Sequence, residues 1–194
     1  MPQIDLESER KRLDREITFF HFKRAHMIRA RALKTAQKKK DKFFILYFTS
    51  QKYILTGKFQ TALYFLDKAL RIHPHDGCSY NDKALCWAEQ GEYRRALQYF
   101  DEGIRHDPDC ATLYHNKGWL LNLLGRHRAA ILCFKKTLEL EPGRPESLYS
   151  LADSYEQLGD EKFSQRYFRS ALHAVSGKCR YMVRHIRRRI GQEE

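Results

Sequence analysis

The sequence predicts an all-α solenoid of helix-turn-helix repeats, and three observations carry that expectation. A skeleton of glycine, small residue, large apolar residue and proline recurs every 34 residues. It reads Gly57, Ala62, Leu66, Pro74; then Gly91, Ala96, Phe100, Pro108; then Gly125, Ala130, Phe134, Pro142; and last Gly159, Ser164, Phe168, with Ser176 where proline stood. A fixed period of this size marks stacked supersecondary units rather than one compact globule. Between the punctuating residues the apolar positions follow helical spacing. The composition, 42% hydrophobic and 13% aromatic with 31% charged, fills a core while keeping the outer faces wet.

Residues 1–42 read as one basic amphipathic helix. Leu6, Leu13, Phe20 and Met27 recur every seven residues, with Ile17 and Ile28 beside them. Arg10, Arg24 and Arg31 interrupt that seam, so a self-standing coiled coil is disfavoured and a cap on the repeats is expected. "KTAQKKKDK" then serves as the hinge into the first repeat.

Four units follow, at 43–76, 77–110, 111–144 and 145–178. In the second, Tyr80, Ala84 and Trp87 share one face of a first helix, with Trp87 expected between the two helices of its hairpin. Gly91 closes that helix, because glycine enters the left-handed region without steric penalty. Tyr93, Ala96, Leu97, Phe100, Gly103 and Ile104 form the stripe of a second helix, and Ala84 and Ala96 let the two approach. Pro108 stops it by fixing its own backbone and disfavouring the helical state at Asp107. Residues 179–194 read as a basic capping helix. Cys179, Val183, Ile186 and Ile190 face inward, while Arg180, Arg184, Arg187, Arg188 and Arg189 face water.

The order Tyr80, Ala84, Trp87, Gly91, Ala96, Phe100, Gly103, Pro108 resembles the tetratricopeptide repeat family, and the resemblance runs over residues 43–178. Departures are small: Leu66 replaces the second-helix aromatic, Ser164 the alanine and Leu121 the first-helix aromatic. The resemblance implies a right-handed superhelix of stacked hairpins with flanking terminal helices. Its first helices would line a concave surface that receives a peptide or a helix of another protein.

The stripe one residue after the core stripe faces sideways from each seam. It holds Tyr47, Gln51 and Ile54; Asn81, Leu85 and Ala88; His115, Trp119 and Asn122; and Tyr149, Asp153 and Glu156. Rings beside amides suit a peptide, since rings supply contact area and amides bind its backbone. The expected peptide-binding set is Tyr47, Phe48, Gln51, Asn81, Leu85, His115, Asn116, Trp119, Asn122, Tyr149 and Asp153. The competing reading is that Tyr47, Phe48, Leu85 and Trp119 pack between neighbouring repeats. Repeats of this family that grip the acidic tail of heat-shock chaperones use lysines, asparagines and arginine. Here Asn116 alone fits, and Asn81, Leu85, Glu146 and Ser150 fill the basic places.

Charge is concentrated at the ends. The formal net charge is +12, with 13 Lys and Arg against 6 Asp and Glu in residues 1–42, and 6 against 2 in residues 178–194. A nucleic-acid or anionic membrane surface is therefore the alternative partner to another protein. No glycine-rich phosphate loop, nucleophile elbow or H-E-x-x-H motif is present, so neither catalysis, cofactor nor metal is expected. The "HPHD" at 73–76 reads as a turn. Five cysteines, Cys78, Cys86, Cys110, Cys133 and Cys179, without a C-x-x-C pair read as reduced thiols, and with no export signal in "MPQIDLESERKRLDREI" they point to the cytoplasm. The expected function is a non-catalytic interaction scaffold, adaptor or chaperone that holds a peptide segment of a partner protein.

Overall fold

A computed structural model describes residues 4–18, 21–175 and 180–192, and the chain divides after His106 into two compact units. Among the described residues there are eleven α-helices and no strand. The first unit holds α1 (Leu6–Thr18), α2 (Phe22–Lys39), α3 (Lys42–Ile54), α4 (Phe59–Ile72), α5 (Gly77–Glu89) and α6 (Tyr93–His106). The second holds α7 (Ala111–Leu123), α8 (His127–Leu140), α9 (Pro145–Gln157), α10 (Glu161–Ala174) and α11 (Arg180–Arg189). Consecutive helices pair as hairpins, α1/α2, α3/α4 and α5/α6 in one unit, α7/α8 and α9/α10 in the other, where α11 packs on α10. No described helix is long and apolar enough to cross a membrane.

The same device closes the first helix of each of the four repeats. Gly91 takes φ +79°, its N–H donates to the Ala88 carbonyl at 2.9 Å, and the following Glu92 N–H donates to the Trp87 carbonyl at 3.0 Å. Gly57, Gly125 and Gly159 repeat that paired bonding, which satisfies carbonyls a helix end would otherwise leave orphaned. Helix starts are capped where the sequence offers a carboxylate. Asp41 accepts from Phe44 N at 3.1 Å, Asp76 from Ser79 N at 2.8 Å and Asp160 from Phe163 N at 3.2 Å.

Columns of residues at the repeat period build the core. Leu66, Phe100, Phe134 and Phe168 are fully buried, and the small residues one turn before them, Ala62, Ala96, Ala130 and Ser164, are buried as well. A second small column, Ser50, Ala84, Gly118 and Ala152, lies on the first helices. A Cβ on Gly118 would stand 2.8 Å from the Phe134 ring, so close approach of α7 and α8 requires its absence.

The structure differs from the sequence reading at three places. The N-terminal segment is two helices, not one, and α2 runs through most of the expected hinge to Lys39. Leu6, Leu13 and Ile28 are buried, but Met27 is 71% exposed because the seven-residue repeat does not survive the break between α1 and α2. Trp87, expected between the two helices of its hairpin, is only half-buried, packed against the core of its unit with its ring beneath the Arg95 guanidinium of α6 at 4.7 Å. Arg189 turns inward instead of facing water, to Asp153 and Glu156 of α9. Cys78, Cys86, Cys110 and Cys133 are not joined in disulfides; Phe20, Ser176 and Cys179 lie outside the described residues.

Urea denaturation should show Phe100→Ala losing about 3 to 5 kcal/mol, because a fully buried ring leaves a cavity. Gly118→Ala should lose about 1 to 3 kcal/mol by overpacking. Trp87→Ala should cost about half as much as Phe100→Ala, since part of its ring already meets water; an equal cost would mean that the ring is fully enclosed.

Candidate functional site

In the first unit the expected peptide face is largely occupied by the chain itself. Tyr47, Phe48, Gln51 and Asn81 are buried, and Leu85 is half-buried. Phe48 stacks on Phe44 with centroids 5.7 Å apart and meets Tyr47 edge-on at 5.4 Å. Gln51 Nε2 donates to Asp82 Oδ2 at 2.5 Å, joining α3 to α5, and Asn81 Nδ2 donates to Asp82 Oδ1 at 3.4 Å. Burial, then the nearby charge of Asp14 on α1, pushes the Asp82 carboxyl up to about 8. The same burial holds the Tyr47 phenol well above its ordinary value.

The covering element is α1. Arg10 Nη1 donates to Asp76 Oδ1 at 2.7 Å, and the guanidinium lies 5.1 Å from the Tyr47 ring and 5.9 Å from that of Phe44. Neither Arg10 nor Asp82 belongs to the set read from the sequence. Asp82 sits one position beyond the stripe, and Arg10 appeared only as a break in an apolar seam.

In the second unit most of the expected residues make contacts between helices. His115 Nδ1 lies 2.8 Å from Ser147 Oγ, and its ring faces Phe134 at 5.7 Å. Burial, reinforced by the Arg144 charge, pushes the imidazole down to about 3. Asn122 Nδ2 donates to Asp153 Oδ2 at 2.9 Å, and Asn122 Oδ1 accepts from Ser154 Oγ at 3.2 Å. Asp153 Oδ1 also takes Arg189 Nη2 at 2.6 Å, and Tyr149 Oη lies 2.9 Å from His185 Nδ1, so α11 covers this part of α9.

Helical spacing sets Asn116, Trp119 and Leu123 on one face of α7. Trp119 is 43% exposed, Leu123 is 59% exposed, and Asn116 is half-buried. An indole with an aliphatic side chain one turn away can bury an apolar side chain of a ligand, and an amide beside them can bond its backbone. Leu123 was absent from the sequence reading, although its place four residues after Trp119 was the available signal.

Residues 53–117, 111–144 and 145–173 match models of the tetratricopeptide repeat. A crystal structure of MamA protein superposes with a TM-score of 0.60 at 22% identity, covering 91% of this chain and 94% of that one. MamA 41-end from Desulfovibrio magneticus RS-1 gives 0.62 at 19% identity, over 78% and 87% of the two chains. The first tetratricopeptide repeat domain of Spaghetti (RPAP3), bound to the HSP90 peptide SRMEEVD, gives 0.56 at 19% identity, over 61% and 94%. Identities this low establish the fold and nothing finer. No curated protein matches the chain in sequence.

These two shifted groups, His115 and Asp82, should bend the stability profile in opposite directions. His115 is held neutral, so its contribution is present above pH 6.5 and is lost as pH falls from there toward about 3. Asp82 is held protonated, so its contribution is full below pH 3.8 and is lost as pH rises toward about 8. Denaturation midpoints across pH should show Asp82→Asn more stable than the wild type above pH 8, and His115→Gln should flatten the acid limb. An unchanged acid limb in His115→Gln would mean that water reaches the imidazole.

Proposed function

Because this chain belongs to the tetratricopeptide repeat family, we propose that it is a non-catalytic scaffold that docks an apolar-anchored peptide segment of a partner protein on α7. The observation that carries this reading is the exposed Trp119 and Leu123 pair, on a helix otherwise committed to packing. Such a pair supports one aromatic-centred hot spot, with Asn116 beside it on the same face. The neighbouring complex with an HSP90 peptide supports the peptide class. An acidic tail fits poorly, because Glu146 stands where the grip on such a tail needs a cation. Asn81, Gln51, Tyr47 and Phe48 make no contribution to this site, being buried in the first unit.

Peptides selected from a random-sequence display library on the full chain should carry an aromatic or aliphatic anchor. Calorimetric titration should show Trp119→Ala weakening them by about 2 kcal/mol or more, roughly thirty-fold. Unchanged affinity in a folded Trp119→Ala variant would move the ligand off α7.

A second reading, contact with an anionic surface through the terminal helices, is favoured by one face of α2. Lys23, Arg24, Met27, Lys34 and Lys38 are exposed on the same side, and no acid occurs between Phe22 and Lys40. On this reading, binding to anionic phospholipid vesicles should fall steeply between low and physiological salt and diminish in Lys34→Glu/Lys38→Glu. Salt-insensitive or absent binding would remove it.

A further inference from the structure

The side chain of Arg10 is held in a pocket that its own hairpin does not make. The helix α1 is tied to its mate α2 by the neighbouring residue Glu9, whose Oε1 and Oε2 accept from Arg31 Nη2 at 2.6 and 2.7 Å. Arg10 instead points away from α2, onto Phe44 and Tyr47 of α3 and onto Asp76 at the start of α5. Its contact with exposed Glu7, at 2.7 Å, is local to α1. Side chains of both Arg10 and Asp76 are 10% exposed, so the ion pair is largely shielded from water.

The repeats fix that pocket without help from α1. Phe44 and Tyr47 are set by the core of α3, stacking on Phe48 and Phe43 at 5.7 and 6.2 Å. Asp76 is oriented by the backbone of α5, since its Oδ2 caps the helix through Ser79 N while its Oδ1 is left to the guanidinium. Two ring faces and one oriented carboxylate suit a planar, forked cation better than a point charge.

We infer that the Phe44, Tyr47 and Asp76 pocket is a binding site for an arginine side chain presented on a helix, that Arg10 is its resident ligand, and that an arginine-bearing helix of a partner competes with α1 for it. The resident fit carries a flaw that a competitor need not share. Docking of α1 brings Asp14 toward buried Asp82, and that like charge, added to burial, is what holds the Asp82 carboxyl up. A helix with a neutral residue at that place forms the same guanidinium contacts without the repulsion. The site is independent of the α7 face, so either can fail without the other.

The test uses the full chain and a labelled synthetic peptide with the sequence of residues 4–18, followed by fluorescence anisotropy. The peptide should bind the Arg10→Ala chain at least ten-fold more tightly than the wild type, whose pocket is filled. Replacing arginine by lysine in the peptide at the place of Arg10 should weaken binding to the emptied chain about ten-fold, and Asp76→Asn in that chain should do the same while keeping the helix cap. Trp119→Ala should leave all of these affinities unchanged. If Arg10→Ala does not fold, Arg10→Lys, which keeps a charge for Asp76 but lacks the fork, replaces it with the same expected order. Equal affinity for wild-type and emptied chains, no binding to an emptied chain with a native circular dichroism spectrum, or indifference to the lysine peptide would each overturn the inference and leave Arg10 as a fixed part of the cap.

Discussion

Every hairpin of the four repeats depends on one backbone event, the left-handed residue that closes its first helix. Gly57, Gly91, Gly125 and Gly159 each place their own N–H and that of the next residue on carbonyls of the preceding turn, which ends the helix and reverses the chain within a few residues. An L side chain would be strained at such a φ, yet a Cβ at these four positions would meet nothing within 4 Å. The demand is therefore conformational and not one of space. The reversal then decides which residues meet. It brings Gly118 against Phe134, and a fully buried Leu66, Phe100, Phe134 or Phe168 recurs on the second helix of each hairpin. Lys40 adopts the same conformation at the end of α2, with Asp41 N–H on the Ala36 carbonyl at 3.0 Å, so the device outlives its glycine.

With the hairpins fixed, neighbouring first helices are joined by polar contacts through side chains that the sequence alone assigned to a peptide face. Gln51 binds Asp82, His115 meets Ser147, and Asn122 bridges to Asp153 and Ser154. A buried amide or carboxylate left without a partner costs more than its bond returns, so these side chains are engaged before any ligand arrives. The terminal helices extend the same competition: α1 sets Arg10 on α3 and α5, and α11 sets Arg189 and His185 on α9. The exposed large side chains on the first helix of the third repeat are apolar, Trp119 and Leu123.

The basic ends acquire different meanings under the same geometry. Arg10 and Arg189 are drawn inward by carboxylates, and each holds together helices that local sequence keeps separate. Lys23, Arg24, Lys34 and Lys38 on α2, and Arg180, Arg184, Arg187 and Arg188 on α11, stay exposed and set the field of the surface. A single formal charge of +12 therefore describes two populations, one structural and one solvated.

What the sequence by itself determined is whatever rests on near neighbours in the chain: the repeat period, the helix-ending glycines and the buried residues at helical spacing. These depend on backbone conformation and on contacts across one turn, and residues such as Gly91, Ala96 and Phe100 state them directly. Tertiary structure alone decided the rest. Arg10 and Asp76 are 66 residues apart, and no local spacing announces that they will pair. The break between α1 and α2 likewise escaped a seven-residue pattern, because Met27 repeats the register of Leu13 while facing water. Stripe position told which side of a first helix Tyr47, Gln51, Asn81 and Trp119 occupy, but not what lies on that side. Another helix meets Tyr47 and Gln51, Asn81 is buried, and Trp119 meets solvent, since burial is fixed by where distant segments pack and not by periodicity.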